Sequence, residues 1–185
     1  MDEDDKFAIL PYFWIPEDTL ELRVRRDHVP YDIVGEARFL QTTEGNVVHY
    51  GYIEKFIEQL GERFNIREIA FDRWGAVQMV QNLEGMEFTV VPFGQGFKDM
   101  SPPTKELMKL TLEPEISSWR TSGARWMMDN IFIRTDPAGN IKADKEKSTE
   151  KIDGAIATII GLDRAIRCGN MNTESVYDAR GILFI

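Results

Sequence analysis

The stretch "IREIAFDRWGAVQMV", residues 66–80, decides how this sequence is read. Its first part, "IREIAF" (66–71), has the β-branched and aromatic content of a short strand. Asp72 follows at once, and "RWGAVQMVQNLEG" (73–85) then has helical spacing, with Gly85 as a C-cap. Working outward, Ile53, Phe56, Ile57, Leu60 and Phe64 recur at helical intervals and predict an amphipathic helix over 51–64. On the other side, "FTVVPF" (88–93) predicts a second strand, with Pro92 marking its end or an edge position. Helix, strand, helix and strand at short spacing predict an α/β fold with parallel strands.

Asp72 therefore stands at the carboxyl end of a strand, where open α/β sheets place their ligands. Two readings stay open. One is a cap for a helix starting at Arg73 or Trp74; the other is a metal ligand. Spacing alone favours the cap.

The flanking sequence adds elements. "KFAILPYFWIP" (6–16) reads as one buried strand ended by proline. Residues 17–48 form a long excursion, with an extended "FLQTTEGNVV" turning at Glu44-Gly45-Asn46. "GQGFKDMSPP" (94–103) is a glycine-bearing loop, and Ser101 as N-cap with Pro102 next predicts a helix through Leu112, ended by Pro114. "ARWMMDNIFIRTDPAGNIKAD" reads as a β-hairpin bending at "DPAGN" (136–140), with Trp126, Ile131 and Phe132 in its core. A last helix runs from about Thr149 to Cys168, with Ile152, Ile156, Ile159 and Ile166 as its buried stripe. The tail, 169–180, is polar, and "GILFI" (181–185) is apolar again.

Composition bounds the function. The chain has 185 residues, 43% of them hydrophobic and 29% charged, as in ordinary globular domains. No apolar run approaches the roughly 20 residues of a membrane helix, and the acidic opening "MDEDDK" is unlike a signal peptide. One cysteine, Cys168, excludes an internal disulfide framework and fits a reducing compartment. Two distant histidines, His28 and His49, argue against a zinc site. No Walker A sequence is present, so the chain offers no argument for ATP binding. The net charge of −9 is wrong for a protein that meets nucleic acid with its whole surface. A local basic patch is still compatible with it, and the carboxylate excess suits hard cations.

Asp153 is a second candidate ligand. Its bland role is that of a first-turn aspartate favoured by the helix dipole, by about 0.3–1 kcal/mol. Its sharper role is to stand beside Asp72, with Gly154 leaving room for close approach. Two carboxylates from separate elements can hold two divalent ions about 4 Å apart for phosphodiester cleavage. Lys142, Lys145, Lys147 and Lys151 precede or flank Asp153 in "KADKEKSTEK". They read either as a solvated charge run, diluted by Asp144, Glu146 and Glu150, or as a basic arm for a phosphate backbone. Arg120, Arg125, Arg134, Lys98 and Lys105 can extend that face. The glycines of "FGQGFK" are more simply a turn than a phosphate cradle.

Four blocks in order, "FDRWGAVQMVQNLE", "TVVPFGQGFKDMSPPTKELMKL", "RWMMDNIFIRTDPAGNIKADKEKSTEKIDGAIA" and "RGILFI", resemble the C-terminal nuclease domain of the large terminase subunit of tailed double-stranded DNA phages. The resemblance covers nearly the whole chain, and it outweighs the bland readings of Asp72 and Asp153. It implies an α/β, RNase H-like three-layer fold, a mixed central sheet flanked by helices. It divides the chain into a nuclease domain over 1–168 and a tail over 169–185. It further implies a metal-dependent endonuclease that cuts concatemeric double-stranded DNA during genome packaging, using two Mg²⁺ or Mn²⁺ ions. The aspartates of "FDRW" and "KIDG", Asp72 and Asp153, match two of the family's catalytic metal ligands. The implied DNA contacts are Lys142, Lys145, Lys147, Lys151 and Arg125. Implied partners are DNA, the portal protein, the small terminase subunit and the packaging ATPase domain of the same subunit, with no membrane, in the host bacterial cytoplasm.

Two departures set further expectations. The family's opening strand, with another catalytic aspartate, lies upstream of "ILPYFW", and this sequence begins at Met1 just before that block. A fold lacking its native first strand leaves backbone groups unpaired in mid-sheet. Three outcomes follow: an apolar segment such as "GILFI", from the same or a swapped chain, fills the gap, the sheet rearranges, or the domain is poorly stable alone; filling or rearrangement is the expectation. "ISSWRTSGARW" also lacks a histidine and glycine pair that many relatives carry before "RW". The expected consequence is weak or absent cleavage. The alternative function is therefore a catalytically impaired domain that only binds DNA or portal. A different RNase H-like enzyme, such as a resolvase or transposase core, fits less well, because the long hairpin feeding the last helix is a terminase feature.

Overall fold

A computed structural model of the protein describes residues 6–20, 40–72, 77–113, 115–116, 122–148 and 151–169, the side chains of 122–125 excepted. Strands β1 (Phe13–Pro16) and β2 (Leu40–Thr43) pair in parallel, Phe13 opposite Leu40. Strands β3 (Ile69–Asp72) and β4 (Val90–Phe93) also pair in parallel, Asp72 opposite Phe93. Strands β5 (Ile133–Thr135) and β6 (Ile141–Ala143) form an antiparallel hairpin. Five helices accompany them among the described residues: α1 (Tyr50–Arg63), α2 (Val77–Gly85), α3 (Phe97–Leu112), α4 (Ser122–Asp129) and α5 (Asp153–Cys168).

The parallel strands expected around Asp72 are present. Among the described residues the strands pair as three two-stranded sheets, without a continuous central sheet joining them. The segment 6–16 is likewise not one long strand. Only Phe13–Pro16 is paired as a strand, and Phe7 makes an isolated parallel bridge to Ile116, its N–H donating to the Glu115 carbonyl at 3.0 Å.

The core lies where α3 and α5 pack against β4 and β6. Met100, Leu107 and Leu110 of α3 meet Ala155, Ile156, Ile159 and Ile160 of α5, with Phe93 and Ala143 from the strands. Each large side chain buried here contributes about 1.5–3 kcal/mol by leaving water. Of the expected α5 stripe, Ile152, Ile156 and Ile159 are buried. Ile166 is exposed: it lies on the same side of α5 as Ile159, two turns earlier, but beyond Leu162, the last α5 residue of the buried cluster.

Three local expectations are corrected. α3 starts at Phe97, four residues before Ser101, with the Met100 N–H donating to the Gly96 carbonyl at 2.9 Å. Ser101 is buried inside the helix, and its hydroxyl accepts the Ile141 N–H at 3.1 Å, tying α3 to β6. Tertiary packing there overrides the preference for proline in the first turn, and Pro102 and Pro103 both lie within the helix. The expected hairpin from Ala124 onward is instead helix α4 followed by a shorter hairpin, so Trp126 is helical and Phe132 is exposed. Gly85 ends α2 without left-handed backbone; the positive φ of 67° belongs to Glu87.

Elsewhere the turns follow their residues. The Asp136 carboxylate accepts from the backbone of Ala138 and Asn140 and from the Asn140 amide, and Gly139 supplies a φ of 78°. α1 and α2 are joined by Asn82, whose Nδ2 donates to both oxygens of the buried Glu54 at 2.9 and 3.0 Å. Tyr12 and Trp14 hold α1 to the β1 region through edge contacts with Phe56, 4.6 and 5.3 Å between ring centroids. Residues 21–39, His28, Pro114, Arg120 and the tail from 170, "GILFI" included, lie outside the described residues.

Candidate functional site: a groove between β3 and α5

A groove of about 940 Å³ runs between β3 and α5. Asp72, Gln95, Lys145 and Asp153 line it, as do Glu68, Arg164 and Cys168. Arg164 pins the start of β3 to the C-terminal half of α5 by donating Nε–H to the Glu68 carboxylate. From Glu68 to Asp72 an extended chain advances about 13 Å. From Arg164 back to Asp153 the helix advances about 16 Å. Asp72 at the end of β3 and Asp153 at the start of α5 both line the groove.

The described part of α2 begins at Val77, and residues 73–76, where a cap by Asp72 would act, lie outside the described residues. Asp72 is the last residue of β3. Its Oδ2 accepts from Gln95 Nε2 at 2.7 Å. Gln95 lies two residues beyond Phe93, the cross-strand partner of Asp72, which explains how the loop after β4 reaches the carboxylate. Gln95 is not among the sequence candidates, because the reading of "FGQGFK" weighs only its glycines, as a turn or a phosphate cradle. The available signal was a polar side chain just past the end of a strand parallel to β3.

Asp153 is the first residue of α5 and stands 69% exposed. Its Oδ1 is 2.7 Å from Lys145 Nζ. Gly154 does not make room for Asp72. A Cβ there would lie 2.7 Å from Met127 Sδ and from a ring carbon of Phe13, so the glycine serves packing of α4 and the β1 segment on α5.

The lysines divide by partner. Lys142 Nζ donates to the Gln95 carbonyl at 3.3 Å and sits 5.3 Å from the Phe97 ring centroid. Lys147 lies over Phe132 at 5.4 Å. Lys105 donates to the Gly139 carbonyl, and Arg134 approaches Asp144 at 3.8 Å. Lys151 is exposed. Arg125 is on α4, its side chain outside the description. Asp144, read from sequence only as a diluting charge, is buried, and its Oδ1 accepts from the backbone of Glu146 and Lys147.

Farther along the groove, the Arg164 guanidinium hydrogen-bonded to Glu68 holds that carboxyl below the usual glutamate range. Burial, then the Glu68 hydrogen bond, pushes the Cys168 thiol up. Among the described residues no three His, Cys, Asp or Glu side chains converge closely enough to hold an ion. The donors at Asp72 and Asp153 are nevertheless oxygens of the kind Mg²⁺ and Mn²⁺ take.

An α/β frame with a groove bearing two carboxylates from remote elements agrees with the family comparison. The family described as "Terminase large subunit, endonuclease domain" matches residues 1–168, and the chain belongs to it. It is 34% identical over 165 residues to "Terminase, large subunit" of Enterobacteria phage HK97, covering 88% of this chain and 33% of that one. It is 29% identical over 171 residues to "Protein YmfN" of Escherichia coli (strain K12), covering 86% of this chain and 36% of that one. The crystal structure of the HK97 bacteriophage large terminase superposes with a TM-score of 0.80 at 33% identity, over 89% of this chain and 35% of that one. The chain thus spans 33–36% of the length of these relatives. No described helix is long and apolar enough to cross a membrane.

Proposed function

We propose that this chain is the metal-dependent endonuclease domain of a phage terminase large subunit, RNase H-like in fold, which cuts concatemeric double-stranded DNA during genome packaging. One observation carries the reading: Asp72 at a strand end and Asp153 at a helix start line one groove. In this reading residues 1–168 are the nuclease domain and 169–185 a tail. Asp72 and Asp153 hold Mg²⁺ or Mn²⁺. When bound, two such ions supply an activated water and neutralise the leaving oxygen of the phosphodiester. Gln95 orients Asp72 through its amide hydrogen bond. Lys142, Lys145, Lys147, Lys151 and Arg125 receive the DNA backbone, a local basic face on a chain of net charge −9. The remaining partners are the portal protein, the small subunit and the ATPase domain of the same subunit, in the host bacterial cytoplasm.

The test is supercoiled plasmid incubated with the chain and Mn²⁺. Weak cleavage is expected, abolished by Asp72→Asn and by Asp153→Asn. Cleavage indifferent to both substitutions would remove these residues from the site. A second reading, a domain that binds DNA or portal without cutting, is supported by the absence of a third converging ligand among the described residues. It stands if DNA is retained in a salt-dependent way and no cleavage occurs.

A further inference from the structure

We propose that Lys145 is a tethered ammonium that occupies the cation position of Asp153 and is exchanged for a divalent ion, after which it serves as a phosphate contact. The inference rests on the nuclease reading and specifies how its metal site is regulated.

Lys145 Nζ lies 2.7 Å from Asp153 Oδ1, so a positive charge already sits where a hard cation would bind that carboxylate. The placement is built into the backbone. Lys145 belongs to the turn Asp144–Ser148, which the buried Asp144 holds together. Asp144 Oδ1 accepts from the Glu146 N–H at 3.0 Å and the Lys147 N–H at 3.4 Å. The Asp144 carbonyl accepts from the Ser148 N–H and hydroxyl, and the Asp144 N–H donates to the Phe132 carbonyl. The Ser148 hydroxyl in turn accepts the Phe132 N–H at 3.1 Å. A turn closed by this many bonds aims one lysine with little loss of backbone freedom on pairing.

Neighbouring lysines are directed elsewhere: Lys142 to Gln95 and Phe97, Lys147 to Phe132. The pair is also displaceable. The Lys145 and Asp153 side chains are 45% and 69% exposed, which puts them among solvent-screened ion pairs of small net strength. A divalent ion carries twice the charge, and the Asp72 carboxylate lines the same groove. The displaced ammonium stays in the groove mouth, beside a phosphate brought there by DNA.

The experiment titrates Mn²⁺ into the 185-residue chain by calorimetry, for the wild type, Lys145→Gln, Lys145→Arg and, as a control on the exposed side of α1, Lys55→Gln. Lys145→Gln is expected to bind Mn²⁺ about two- to fivefold more tightly. Lys145→Arg is expected to behave as the wild type, and Lys55→Gln to stay within about twofold of it. A parallel titration follows a short DNA duplex at fixed ionic strength, with and without Ca²⁺. The wild type is expected to gain DNA affinity on adding Ca²⁺, and Lys145→Gln to lose that gain. Unchanged or weaker Mn²⁺ binding by Lys145→Gln, with normal binding by the wild type, overturns the inference alone. Wild-type chain that binds no Mn²⁺, or binds it equally after Asp153→Asn, overturns the nuclease reading as well.

Discussion

Arg164 and Glu68, 96 positions apart in sequence, meet through a charge-assisted hydrogen bond that ties β3 to α5. Cys168 shares the Glu68 carboxylate from the same helix. Because the bond favours the ionised form, the Glu68 carboxyl sits below its usual range. A depressed folded value stabilises the fold above the ordinary glutamate pKa, and that stabilisation is lost as pH falls through the depressed value. The gap in melting temperature between wild type and Glu68→Gln should therefore hold near neutral pH and close below about pH 4. A gap that persists unchanged into strong acid assigns the stabilisation to packing.

Gly154 is the position where α5 admits Phe13 and Met127 at closest range. An alanine there has to move a ring and a thioether held between elements, at about 1–3 kcal/mol. The better helix propensity of alanine offsets about 1 kcal/mol of this. Gly154→Ala should lower urea-derived stability by up to about 2 kcal/mol and, by tilting the first turn of α5, weaken Mn²⁺ binding at the adjacent Asp153. A variant as stable as the wild type would mean the ring and thioether relax freely.

Lys147 and Lys151 lie within six residues of Asp153 in sequence, Lys147 resting on the Phe132 ring. As phosphate contacts, each should reduce the slope of log affinity against log salt by about 1 when changed to glutamine. Sequence preference should stay the same, since phosphate contacts carry no base information. Slopes equal to the wild type leave these lysines as a solvated surface run.

What could be read directly was local. The 51–64 periodicity found α1 to within a residue, because an amphipathic face repeats along one segment. "IREIAF" and "FTVVPF" gave the two parallel strands around Asp72, and "DPAGN" gave the bend of the β5–β6 hairpin. The start of α3 and the helical nature of Ala124–Asp129 were misread. In both, contacts with distant elements overrule local preference: Ser101 with Ile141, and the helix of Met127 with Gly154.

The sequence by itself determined the element types around Asp72, the oxygen-donor character of the candidate site and the block pattern of the family. Only the tertiary structure decided that Asp72 and Asp153 share a groove, that Gln95 holds the first and that Lys145 covers the second. Periodicity and capping are set by neighbours a few residues away. Those pairings depend on how strand and helix are pinned across 96 residues, and a local pattern carries no record of such a distance.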